Sequence, residues 1–116
     1  MAFTMEQKIG PPGKHKAMLS EVQFVNGQFG PACRWVFEIS DGPSHGMELL
    51  KLTGVDPRLG TNLGDLLASL YGRELRKGDT VDPASDLVGK SFEVFATPGS
   101  NGSGAVIQTV RPIADN

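Results

Sequence analysis

The chain lacks what marks disulfide-stapled, membrane and metal-dependent proteins. Among 116 residues there is one Cys, one Trp and one Tyr. A lone Cys33 cannot close an internal disulfide and suits a reducing, cytoplasmic setting. No apolar run approaches the roughly 20 residues that span a bilayer, so no membrane partner is expected. The opening MAFTMEQKIGPPGKHK holds no apolar stretch of the kind a secretory leader needs. Neither sign of charge dominates: 11 basic residues face 13 acidic ones, for a formal charge of -2. That excludes a generally basic nucleic-acid coat and leaves anion binding to a local patch.

Catalytic signals are equally sparse. His15 and His45 lie far apart, with no Cys or carboxylate at metal-ligand spacing, so no metal or cofactor is expected. Cys33 sits in an apolar strand phase, the place of a structural thiol rather than a nucleophile. The run Leu87-Val88-Gly89-Lys90-Ser91 resembles the end of a phosphate-binding loop, but Ala84 stands where that loop needs glycine and a strand pattern follows. Asp79, Asp82 and Asp86 suit turns and caps. No acid–base pair is suggested, and the chain reads as a non-enzyme.

What is present is turn-rich and extended. The length fits one domain that needs no disulfide or metal to fold. The 15 Gly and 8 Pro favour short elements over a helical bundle. Residues 1–13 read as a polar arm, 14–112 as the domain and 113–116 as a short tail. A first strand runs from Lys14 to Val25, with Met18, Val22 and Phe24 on one side and Ala17, Leu19 and Glu21 on the other. Asn26-Gly27 is a hairpin signal. In the second strand Cys33, Trp35, Phe37 and Ile39 alternate with Arg34, Val36, Glu38 and Ser40. A third strand spans Met47 to Thr53. The helix follows, capped by Thr61 or Asn62, with Leu63, Leu66, Leu67, Leu70 and Tyr71 on one stripe and Gly72 as its stop. Asp82-Pro83 opens a turn or single-turn helix. Two more strands, Lys90 to Thr97 and Ala105 to Arg111, flank a Gly-rich loop over 98–104.

Strand, strand, strand, helix, strand, strand is the element order of a five-stranded Greek-key barrel of OB type, with the leucine stripe stoppering one end. The fold class expected is therefore all-β, with an open α+β sheet as the competing arrangement.

Longer stretches carry a resemblance. The runs GKHKAMLSEVQFVNGQFGPACRWVFEI, LLKLTG, LGTNLGDLLASLYGREL and LVGKSFEVFATPG resemble small OB-fold single-stranded-DNA-binding proteins of the phage and prophage type. The corresponding pieces are Phe29-Gly30-Pro31 with Trp35 and Phe37, Leu67 to Gly72, and Leu87 to Lys90. The resemblance implies low-specificity binding of single-stranded DNA, or RNA, in phage or bacterial replication or recombination, by a homodimer or higher homo-oligomer. It departs from bacterial members in its ending, Arg111-Pro112-Ile113-Ala114-Asp115-Asn116, which is not an acidic recruitment tail.

Gripping a single strand takes cations along a groove and aromatic faces for bases. The phosphate-binding candidates are Lys14, Lys16, Arg34, Lys51, Lys90 and Arg111, with Lys8, His15 and Arg58 as further basic residues. Arg73, Arg76 and Lys77 form a second basic cluster, diluted by Glu74 and Asp79. The stacking candidates are Trp35, Phe95 and Phe29. Trp35 shares its phase with Cys33, Phe37 and Ile39, which also suits a core position. Phe95 points away from Phe92 and Val94. The alternative function is an OB-type protein-interaction or assembly module that binds no nucleic acid.

Overall fold

The computed structural model describes residues 10–27, 30–55, 61–98 and 105–113. Five strands form one antiparallel sheet: β1 (Gly13–Gly27), β2 (Gly30–Ile39), β3 (Glu48–Thr53), β4 (Ser91–Pro98) and β5 (Ala105–Pro112). Helices α1 (Asn62–Tyr71) and α2 (Pro83–Asp86) lie between β3 and β4. The chain is thus mainly β, with the short second helix at the Asp82-Pro83 signal.

The strand order is β3-β2-β1-β4-β5. Among the described residues no ladder joins β3 to β5, so the five strands make one antiparallel sheet that is not closed. The two edges still approach one another: Lys51 Nζ donates to the Ile107 carbonyl at 3.4 Å.

The first strand corrects the sequence reading. Ala17 and Leu19 are fully buried, whereas Met18 is on the other face, opposite Glu38 and Ser91. The cause is a bulge. Leu19 stands opposite Phe37 and Glu21 opposite Val36, which leaves Ser20 as an extra residue. One inserted residue reverses the parity of all that follows. The core side therefore runs Ala17, Leu19, then Val22, opposite Trp35, and Phe24, opposite Cys33. Past Leu19 only β2 pairs with β1, so the far ends of the two strands form a two-stranded ribbon.

The second strand follows its alternation, with Cys33, Trp35, Phe37 and Ile39 all buried, except that Val36 on the opposite side is buried too. Phe37 meets Phe92 edge to face, with centroids 6.1 Å apart, a geometry that suits the ring quadrupoles. Val94, Ala96, Ile107 and Val110 complete the inner side of the sheet.

Helix α1 closes this core. Thr61 is the cap that forms, its hydroxyl accepting from Gly64 N–H at 3.0 Å. Leu63, Leu66, Leu67 and Leu70 are buried in the same cluster as the sheet residues. Each such leucine contributes about 1.5–3 kcal/mol when fully buried. Gly72 ends the helix in the left-handed conformation, φ 67°. In α2, Asp82 is the cap and Pro83 opens the first turn.

In the segment read as an arm, Gly10 packs against the domain and Gly13 already pairs with Ala96 of β4, while Pro11 and Pro12 are exposed. Gly10 N–H donates to the Glu48 carbonyl at 2.7 Å. A Cβ at Gly10 would come within 2.7 Å of Ile39 Cδ1, so the chain passes here because position 10 has no side chain.

Candidate functional site

Strand alternation gathers four of the sequence candidates on one face. In β4, Phe92 and Val94 point into the core, so Glu93 and Phe95 point out. The ladders place Lys14 opposite Phe95 and Lys16 opposite Glu93 on one side, and Thr109 opposite Phe95 and Arg111 opposite Glu93 on the other. The outer face of β1, β4 and β5 thus carries Lys14, Lys16 and Arg111 around one exposed ring. Phe95 is 43% exposed, against 1% for Phe92. A shallow hollow of about 270 Å³ lies among Lys14, Glu93, Phe95, Thr109 and Arg111.

Glu93 organises this face. Arg111 Nη2 and Lys14 Nζ both approach its Oε1, the lysine at 3.8 Å. On an exposed surface such pairs contribute roughly 0–1 kcal/mol each. Their effect is positional, holding two flexible cations beside Phe95. Three cations against one carboxylate leave the face net positive on a chain whose formal charge is -2. The sequence reading missed Glu93. Its signal was its place two residues before Phe95, which puts both on one side of a strand.

The other candidates lie elsewhere. Trp35 is 1% exposed, and its indole N–H donates to Thr53 Oγ1 at 3.1 Å. That corrects its reading as a stacking platform: the inward phase of β2 buries the ring in the core, at the floor of an apolar groove rather than on an exposed face. Arg34 is on the outer side of β2, where its Nη1 donates to Gln23 Oε1 at 3.4 Å. At about 3.3 Å per residue along β1 it stands roughly 20 Å from Lys16. Lys51 is half-buried on the inner side of β3 and bridges to β5. Lys90 is exposed just before β4, beside a separate hollow lined by Tyr71 and Asp86. None of these three joins the Lys14–Arg111 face. Phe29, Lys8, Arg58 and residues 99–104 of the Gly-rich loop lie outside the described residues.

In the second basic cluster Arg73 is engaged locally. Asp79 Oδ2 accepts from Arg76 N–H at 2.9 Å and from Arg73 Nη1 at 3.3 Å. These bonds, the backbone one foremost, hold the Asp79 carboxyl below its ordinary range. Arg73 also lies over the Tyr71 ring, 5.9 Å from its centroid.

Two further features bear on chemistry. Burial pushes the Cys33 thiol up, away from the reactive thiolate. Among the described residues no three His, Cys, Asp or Glu side chains gather as a metal site would require. A larger apolar groove, about 380 Å³, opens at the other end of the sheet. Val22, Phe24, Cys33, Leu63 and Leu67 line it with the segment 79–84. Phe24 stands at 83% exposure on its rim.

No protein-family model matches the chain, and a search of curated proteins finds no relative.

Proposed function

We propose that this protein binds single-stranded nucleic acid, most naturally DNA, without catalysing a reaction, and that the outer face of β1, β4 and β5 is where the strand lies. The observation that carries this reading is Phe95, an exposed ring set among Lys14, Lys16 and Arg111. Stacking a base on an aromatic ring while cations hold the flanking phosphates is how single strands are gripped. The strand order supports an OB-type barrel as the fold class, with β1 pairing both β2 and β4 and α1 inserted before β4. In that arrangement the Lys51 contact to β5 is the seam of the roll. The resemblance to phage-type single-strand binders puts such work in replication or recombination.

The test is anisotropy of a labelled oligo-dT titrated at low and high salt. Saturable binding that weakens as salt rises supports the reading, since neutralised phosphates release counterions. Absence of saturable binding at low salt overturns it.

A second reading, a protein-interaction module, draws on the apolar groove beside Phe24. Capture of a specific protein partner, abolished by Phe24→Ser and untouched by Phe95→Ala, would select it.

A further inference from the structure

We infer that Glu93 makes the Phe95 face selective for guanine over thymine or uracil; the inference rests on the single-strand reading above. Both cations that pair with Glu93 approach the same oxygen, Oε1. A carboxylate carries about four lone-pair sites, so two cations do not exhaust it. An ionised carboxylate only accepts hydrogen bonds, so Glu93 presents acceptors next to a stacking ring. Glu93 and Phe95 share a face two residues apart, and one hollow of about 270 Å³ touches both. That volume lies below the roughly 300–1,000 Å³ of sites for drug-sized ligands, and it suits one planar heterocycle rather than a run of bases.

The base edges then differ in what they offer. Guanine presents a carbonyl oxygen followed by two adjacent N–H donors, N1–H and the N2 amine. Laid on Phe95, it can give those donors to the Glu93 carboxylate while its O6 accepts from Lys14 or Arg111. Thymine and uracil present one N–H between two carbonyls, so an outer carbonyl meets the carboxylate acceptor to acceptor. Adenine and cytosine offer one amine beside a ring-nitrogen acceptor and fall between. A carboxylate reading base donors is a known form of direct readout. A face with cations alone would hold every base alike, so Glu93 converts an indifferent grip into a graded one.

The experiment uses the full chain and short labelled oligonucleotides that are all dT except for one central dG, dC, dA or dT. Anisotropy titrations at one low salt concentration give four affinities. The expected result is about tenfold tighter binding of the dG oligonucleotide than of the all-dT one, from the discrimination typical of a good paired contact. Glu93→Gln, whose amide both donates and accepts, should bind all four with a spread below about threefold. Equal wild-type affinities, or a guanine preference that survives Glu93→Gln, overturn the inference and leave the single-strand reading standing. No binding of any oligonucleotide overturns both.

Discussion

Trp35 and Thr53 form a polar contact inside an apolar core: the indole N–H donates to the threonine hydroxyl at 3.1 Å, and both residues are buried. The hydroxyl in turn donates to the Gly54 carbonyl at 3.0 Å, so the chain of donors is complete. Thr53→Val keeps the shape and leaves the indole N–H without a partner. An orphaned buried donor costs about 1–3 kcal/mol. We expect the urea midpoint of Thr53→Val to fall accordingly, while Thr53→Ser holds close to wild type. Equal midpoints for both variants would show that this bond does not stabilise the core.

Phe95 and the cations around it make separable contributions. Phe95→Ala should weaken oligo-dT binding by about 1–3 kcal/mol, the usual loss when a stacking ring is removed. Lys14→Ala, Lys16→Ala and Arg111→Ala should each flatten the logarithmic salt dependence by about 0.7, one phosphate contact on a single strand. Lys51→Ala should leave that slope unchanged, because Lys51 is engaged with the Ile107 carbonyl. A slope that moves with Lys51 and not with Lys14 would place the strand on another face.

What was legible in the sequence follows the reach of each signal. The alternation of β2 and the leucine stripe of α1 are local patterns, and both stand as read. The outward turn of Phe95 was legible because Phe92 and Val94 fix the phase of β4. The face of Met18 was not, because the bulge at Ser20 reverses the phase of β1, and a bulge shows only when the partner strand is aligned. Trp35 kept two roles open because an aromatic ring serves core and platform equally well until burial is known. Glu93 escaped notice since its value comes from Lys14 and Arg111, brought to it by strands far apart in the chain.

Gly72 is required twice over. Its φ of 67° is a conformation that L side chains rarely adopt, and a Cβ there would stand 2.9 Å from Pro112 Cγ. Gly72→Ala should therefore destabilise by more than about 1 kcal/mol, since alanine at positive φ adds strain to the crowding. Exposed Gly89, with φ 93° and no neighbour within 4 Å of a built Cβ, supplies the control. Gly89→Ala carries the backbone strain alone and should lose less. Equal losses in the thermal midpoint would mean that the contact with Pro112 has no weight.

Tyr71 ties the end of α1 to α2, its hydroxyl donating to Asp86 Oδ2 at 2.8 Å. Partial burial, and then the bond and charge of Asp86, push the phenol up to about 12. An unfolded tyrosine titrates near 10. Between these values the unfolded chain loses the proton that the folded chain keeps, so stability falls as pH rises through that interval. Below about pH 10 the contribution is fully present. Lysines lose charge over the same range, so the informative quantity is the difference between wild type and Tyr71→Phe. Urea midpoints measured from pH 8 to 11.5 should converge as pH rises, with wild type losing its advantage only above about 10. A constant difference across that range would mean that Asp86 does not hold the Tyr71 proton in solution.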